Sequence, residues 1–178
     1  FLSAVAVSLL VAIASTALAT ATGVPVGVFI ARARFPGREA VLTAFNTLMS
    51  LPTVVVGLMA YSLLSRHGPL GELGLLYTRP AMVFGQWILA FPIVVGLTAA
   101  AVKGLDRRIA LTAAALGADS FQIFRVFISE ARFGILAAVV AGFGRVFAEV
   151  GISMMIGGNI KGYTRNITTA IALETSKG

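Results

Sequence analysis

The sequence contains no cysteine and a single histidine, His67. The lack of cysteine excludes disulfides, thiolate nucleophiles and cysteine-ligated metals, and a zinc protease of the HExxH type needs two histidines. No GxSxG motif supplies a serine nucleophile, and no GxxxxGK[ST] motif is present to bind nucleotide phosphates. We therefore expect no enzyme active site, no metal and no bound cofactor in this chain.

Charge is also scarce in this sequence. Charged residues make up 12% of its 178 residues and apolar residues 58%, and the mean hydropathy is +0.94. Soluble domains average about 25% charged and about 45–50% apolar residues, so this chain has too little polar surface to form a water-facing shell. The composition predicts one all-α, polytopic membrane domain over residues 1–178. The net charge of +7 is scattered between apolar runs, so we expect no nucleic-acid binding.

Four apolar stretches reach the length of about 20 residues that a transmembrane helix needs. They cover residues 1–31, 40–65, 81–102 and 133–157, and the charged segment 103–132 separates the last two. Residues 1–31 also permit a signal peptide, but no basic segment precedes them. Because the chain begins at Phe1 and stops soon after an apolar run at 167–175, we expect both ends to be truncated.

The basic residues are divided unequally between the two sides of the predicted bundle. Segments 32–38 and 103–132 share one side and contain Arg32, Arg34, Arg38, Lys103, Arg107, Arg108, Arg125 and Arg132. Segments 66–80 and 158–166 share the other side and contain Arg66, Arg79, Lys161 and Arg165. Cytoplasmic loops of membrane proteins have the excess of Lys and Arg, so the first side is predicted to be cytoplasmic.

Residues 103–132 are too long for a plain turn, because helix–helix connections commonly run about 2–8 residues. The alanines at 113–115 favour a helix, and Gly117 suits the left-handed position that ends one. Asp119 stands three residues before Gln122, which is typical of a capping box that starts a second helix. We predict a helix–glycine–helix element that either docks in a groove of a soluble partner or lies on the lipid surface.

Residues 113–121, AAALGADSF, resemble the cytoplasmic EAA loop of binding-protein-dependent ABC importer permeases. The resemblance places the family's glycine on Gly117 and its glutamate on Leu111, where the acid is missing. It implies that two ATP-hydrolysing subunits, which bind ATP and Mg, dock on residues 103–132, the coupling loop. The residues assigned to this docking are Leu111, Ala113, Ala114, Gly117, Ala118, Asp119 and Phe121.

A second stretch, RVFAEVGISMMIGGN at residues 145–159, resembles the permeases for molybdate, tungstate and sulfate, and residues 163–165 and 168–176 look most like tungstate permeases. The resemblance implies a type I ABC importer permease in the cell membrane that pairs with a second copy. It further implies an extracytoplasmic binding protein that delivers a tetrahedral oxyanion. Tungstate is the first expectation for this anion, and molybdate and sulfate are the alternatives. An ATP-independent anion channel or carrier is the alternative from another class.

Two charged residues, Arg145 and Glu149, lie near the middle of the fourth predicted span. Residues four apart share a helix face, so we expect these side chains to form an ion pair. Charges at this depth usually face a bundle interior or an aqueous cavity. The pair therefore either helps an oxyanion to cross or joins helices structurally.

Polar residues also repeat along the second predicted span. Their spacings of three and four predict a polar seam on one helix face, formed by Thr43, Asn46, Thr47, Ser50 and Thr53. The polar seam either lines a hydrophilic pathway or hydrogen-bonds across packed helices.

The last polar loop combines glycines with basic residues. Gly157 and Gly158 permit a tight turn at the end of the fourth span, and Asn159, Lys161 and Arg165 follow. The basic side chains either attract an oxyanion or contact the binding protein, or they are solvated without a further role.

Overall fold

The computed structural model describes residues 2–33, 35–106 and 108–176. These residues form α1 (Leu2–Arg32), α2 (Arg38–Met49), α3 (Thr53–Leu64), α4 (Arg79–Lys103), α5 (Arg108–Ala115), α6 (Ser120–Glu130), α7 (Arg132–Phe147), α8 (Gly151–Gly157) and α9 (Ile167–Ser176), with a 3₁₀ turn at Gly71–Leu73. The described residues contain no strand, which confirms the all-α fold. Arg34 and Arg107, two of the basic residues counted above, lie outside the described residues.

Two of the described helices, α1 and α4, are long and apolar enough to cross a membrane alone. The pairs α2–α3 and α6–α7 are long and apolar enough to cross only when each pair is taken as one bent span. The part of the chain that is described therefore has up to four spans. Their bends are 100° and 70°.

The core is organised around α1 and α4, which pack closely along their length. A Cβ placed on Gly23 would lie 3.1 Å from Val94 Cγ1, and one on Gly27 would lie 2.7 Å from the carbonyl oxygen of Val95 and 2.9 Å from Thr98 Cβ. Because these contacts advance in the same direction along both helices, α1 and α4 run parallel. The small-residue spacing of four allows their backbones to approach.

The inner end of the bundle comprises residues 32–39 and the coupling loop. Lys103 Nζ lies 3.1 Å from Glu39 Oε1, and the Arg32 guanidinium carbon lies 4.6 Å from the centre of the Phe127 ring. These contacts confirm that segments 32–38 and 103–132 share one side of the molecule.

The outer end comprises residues 65–79 and 158–166. Arg79 Nε donates to the carbonyl oxygen of Tyr163 at 2.8 Å, and its guanidinium carbon lies 5.2 Å from the centre of that ring. Segments 66–80 and 158–166 thus also share one side of the molecule, opposite the inner end.

The second predicted span, residues 40–65, is two helices that meet at 100° and not one continuous helix. Ser50 N donates to Thr47 O at 3.0 Å, and Leu51 N donates to Leu48 O at 3.3 Å, which tightens the last turn of α2. Pro52 disfavours a helical Leu51 and begins the new direction. Each half has 12 residues, or about 18 Å of helix, and is too short to cross about 30 Å of hydrocarbon.

The fourth predicted span, residues 133–157, is likewise interrupted. α7 ends at Phe147 and α8 begins at Gly151. Between them the Glu149 carboxylate accepts a hydrogen bond from the backbone N–H of Ile152 at 3.1 Å. A side-chain acceptor at this point offers the backbone an alternative to the helical ladder, and Gly151 has a low helix propensity.

The close approach of α1 to α4 predicts that Gly27→Ala lowers stability, since the new Cβ meets the Val95 carbonyl. We expect a loss of about 1–3 kcal/mol from overpacking, seen as a lower melting temperature in mild detergent. Gly144→Ala is the matched control, because a Cβ there meets no atom within 4 Å and Ala raises helix propensity. Equal stability of the two variants would contradict the close packing.

Candidate functional site

The coupling loop has the predicted helix–glycine–helix form. α5 ends at Ala115, and Gly117 follows in the left-handed region with φ +82°. Asp119 caps α6: its Oδ1 accepts from Gln122 N at 2.8 Å, while Gln122 Oε1 accepts from Asp119 N at 2.9 Å. The capping box and the left-handed glycine are therefore confirmed.

The coupling loop presents large apolar side chains outward from α5, from the turn after it and from α6. Leu111 is 70% exposed, Leu116 83% and Phe121 67%. Of the other residues assigned to docking, Ala114 and Asp119 are exposed, and Ala113 and Ala118 are half-buried. Exposed apolar residues grouped in this way are typical of a surface that a partner covers.

Other side chains of α6 are packed against the membrane helices. Phe127 is 7% exposed and shares a core cluster with Val28 and Val102, at the inner ends of α1 and α4. Ile123 and Ile128 are half-buried against the same cluster. α6 therefore connects the exposed apolar surface directly to the inner ends of α1 and α4.

The start of α2 is fixed to its neighbours at the same inner end. Arg38 donates from Nε to the carbonyl oxygen of Ile30 at 2.9 Å and from its Nη2 to that of Ala31. These carbonyls belong to the last turn of α1, where no intrahelical donor is available. With the Lys103–Glu39 ion pair, α2 is attached to both α1 and α4.

The predicted Arg145–Glu149 ion pair does not form in the part of the chain that the structure describes, and the prediction was wrong in its geometry. The helix ends at Phe147, so the two residues do not share a continuous helix face. Glu149 is 6% exposed, and its carboxylate accepts the hydrogen bond from Ile152 N in the first turn of α8. Arg145 is exposed and makes no hydrogen bond, ion pair or ring contact with another described residue.

The polar seam lies on one side of α2 and continues to the first residue of α3. Thr43, Asn46, Thr47 and Ser50 are exposed, and Thr53 is half-buried. Thr47 Oγ1 donates to its own helix at Thr43 O, at 2.9 Å. The predicted single helix face is interrupted, because Thr53 begins α3 beyond the 100° bend. The single chain leaves most of the polar seam uncovered.

The loop at 158–166 is ordered by its own hydrogen bonds. Gly158 and Asn159 both have positive φ, +67° and +51°, which makes the tight turn at the end of α8. Arg165 donates from Nε to Asn159 Oδ1 at 3.1 Å, so its guanidinium is held by the loop. The buried Thr164 donates to Gly157 O and accepts from Ile160 N. Lys161 is exposed.

Sequence reasoning missed Tyr77, which has φ +65° in the outer end. Its N–H donates to Ile156 O at 2.8 Å, and a Cβ on Gly158 would lie 2.7 Å from its ring. Tyrosine has no preference for this conformation, so no local signal indicated it. The turn after α8 and residues 75–79 are thereby locked together.

A buried polar contact joins α4 to α8. Gln86 Nε2 donates to Ser153 Oγ at 2.8 Å, and both side chains are buried. Among the described residues, no group of three or more His, Asp or Glu side chains is arranged to hold a metal ion.

Comparison with known proteins gives consistent matches. A family described as the binding-protein-dependent transport system inner membrane component matches residues 23–174. A probable anion ABC transporter permease protein of Haloferax volcanii is 40% identical over 99% of this chain and 78% of its own length.

Two further relatives are described as the tungstate uptake system permease protein TupB. The one from Peptoclostridium acidaminophilum is 40% identical over 96% of this chain and 75% of its own length. The one from Campylobacter jejuni is 45% identical over 75% of this chain and 56% of its own length. Relatives described as the molybdenum transport system permease protein ModB are 27–29% identical.

The pKa of the Tyr77 phenol is raised above its ordinary value of 10.0, mainly by a hydrogen bond with Tyr61 and then by repulsion from the Tyr61 phenolate and by burial. The neutral phenol is therefore favoured in the folded state, and this stabilisation is present below pH 10 and lost as the pH rises through the raised pKa. We expect Tyr61→Phe to lower the Tyr77 pKa towards 10, measured by phenolate absorbance during an alkaline titration. If Tyr61→Phe removes one titrating tyrosine but leaves the pKa of Tyr77 unchanged, the Tyr61–Tyr77 contact is contradicted.

Proposed function

Because the chain belongs to the family of binding-protein-dependent transport system inner membrane components, we propose that it is the transmembrane subunit of an ATP-driven importer for tungstate. The observation that carries this proposal is the coupling loop, which presents Leu111, Leu116 and Phe121 outward. Other side chains of this loop are packed on the inner ends of α1 and α4. An ATP-independent channel or carrier has no use for such a connection.

The chain itself has no P-loop, so ATP and Mg would be bound by two partner ATPase subunits. At the position of the family's glutamate this chain has Leu111, which is 70% exposed. The docking contact would therefore be apolar at this point, with Gly117 and the capped start of α6 fixing the angle between the two helices.

Transport would follow from movement of the coupling loop. When the ATPase subunits close, α6 moves, and its contacts through Phe127 and Arg32 transmit the displacement to α1 and α4. Arg38 and Glu39 connect the same elements to α2, which carries the polar seam. This set of contacts supports alternating access, in which the pathway opens outward to receive the anion and inward to release it.

A second copy of the chain would complete the pathway. The polar seam and Arg145 are exposed in the single chain at positions that lie within the predicted spans. A charged side chain at bilayer depth is costly when it faces lipid. These surfaces therefore favour a protein partner and a water-filled pathway over a lipid contact.

The substrate is proposed from the relatives. The two proteins described as tungstate permeases are 40–45% identical to this chain, while those described as molybdenum permeases are 27–29% identical. Tungstate, molybdate and sulfate share tetrahedral geometry and a double negative charge. Selection among them would rest mostly on the binding protein that delivers the anion.

The test of this function is purification of the full-length protein from its native membrane in mild detergent. We expect about one ATPase subunit per permease chain, and ATP-dependent tungstate uptake when the complex and its binding protein are reconstituted in vesicles. Molybdate and sulfate serve as competitors. A homo-oligomer that moves tungstate without an ATPase would overturn the importer proposal in favour of a channel or carrier.

The left-handed conformation of Gly117 gives a sharper prediction. Gly117→Val places a β-branched residue at φ +82°, which costs at least about 1–2 kcal/mol and distorts the loop. We expect the ATPase to be lost from the purified complex while helix content is retained. Gly104→Val is the matched control, because Gly104 has φ −73° on the same segment, and it should retain the ATPase. Equal ATPase recovery from both variants would count against docking at this loop.

A further inference from the structure

Arg145 is an arginine without a partner in the last turn of α7, within the fourth predicted span. Within the described residues it makes no hydrogen bond, ion pair or ring contact. The acid that the sequence offered as its partner, Glu149, is buried and bonded to the N–H of Ile152. The positive charge of Arg145 is therefore not neutralised within one chain.

The surroundings of Arg145 on α7 are open. A Cβ on Gly144 would meet no atom within 4 Å, and Ala141 and Ala148 are exposed. The packed face of α7 lies next to Arg145, since the adjacent Val146 is 1% exposed and Gly142, three residues earlier, lies against Val94. Arg145 is thus exposed at the edge of the packed face, where lipid would be an expensive environment for it.

From these observations we propose that the Arg145 side chains of two copies face each other across a two-fold axis and together bind a tetrahedral dianion in transit. This inference rests on the proposed function, because it needs a second copy and an oxyanion substrate. In a two-fold interface the same patch occurs on both partners, so one unpaired arginine becomes two. The site is incomplete without the second chain.

The charges and geometry of such a site match the substrate class. Two guanidinium groups supply two positive charges against the two negative charges of the oxyanion. Each guanidinium presents a planar fork of N–H donors, which binds oxyanions in a bidentate manner. Without an anion the two arginines repel each other, so occupancy of the site would draw the two copies of α7 together.

The site is also suited to release. Among the described side chains of the polar seam there is no cation, and the seam offers only hydroxyl and amide groups. A dianion that leaves Arg145 therefore meets weaker partners.

The first test is tungstate uptake by vesicles that contain the complete transporter. Arg145→Gln should lower the uptake rate about tenfold or more, as expected for loss of charged hydrogen bonds. Arg145→Lys keeps the charge but not the fork, and should restore part of the rate. ATPase activity stimulated by the binding protein should persist in both variants, which a folding defect would not allow.

Arg66→Gln is the matched control for loss of one positive charge, because Arg66 is exposed at the outer end. If the unaltered chain takes up tungstate and Arg145→Gln does so as fast as Arg66→Gln, the dianion site is wrong while the proposed function stands. If the unaltered chain shows no ATP-dependent uptake, the proposed function itself fails.

The second test uses the natural absence of cysteine. Gly144→Cys, next to Arg145, should be joined between copies by a bifunctional thiol reagent with a spacer of about 10–15 Å, because two arginine side chains with an anion between them hold the backbones beyond the Cα distance of about 7 Å that a disulfide allows. Phe29→Cys, 66% exposed on α1, is the control and should not. Tungstate should raise the cross-linking yield of Gly144→Cys at least twofold, and should have no effect when Arg145→Gln is also present. No cross-link at residue 144, or a tungstate effect that survives Arg145→Gln, would overturn the inference.

Discussion

The close contact between α1 and α4 is the constraint on which the rest of the structure depends. In a membrane, burial of apolar groups between helices gains little, because lipid is equally apolar, so association depends on tight packing. Glycine supplies that packing on both faces of α4: Gly23 and Gly27 of α1 meet its one side, and its own Gly85 receives Ile152 and Ile156 of α8. The result is a central helix that is contacted from several directions at short range.

This packing divides the molecule into a tightly packed part and an uncovered part. α1, α4 and the packed side chains of α6 share one core cluster. A displacement of α6 is therefore transmitted to α1 and α4, which move together because they are closely packed. α2 and the open side of α7 have polar or charged groups that their own chain leaves exposed. The packed part is suited to transmitting movement, and the uncovered part is suited to contact with water, an anion or a second chain.

The features that sequence reasoning predicted are those set by local chemistry. The left-handed Gly117 and the capping box between Asp119 and Gln122 each follow from residues close in sequence. The features that it missed depend on direction or on tertiary contacts. Apolar length alone does not show that residues 40–65 turn by 100° at Pro52. A spacing of four does not show that Glu149 accepts a hydrogen bond from a backbone N–H and forms no ion pair with Arg145. Only packing explains the positive φ of Tyr77. The roles assigned to individual site residues stay predictions.

The hydrogen bonds within residues 158–166 have a consequence for recognition. Thr164 joins both ends of the turn, Arg165 is bonded to Asn159, and Tyr163 is held by Arg79. The outer surface is therefore preorganised, and a protein that docks there does not have to order this loop first. Because ordering side chains and loops is a major cost of association, a protein that bound this surface would be spared that cost for residues 158–166.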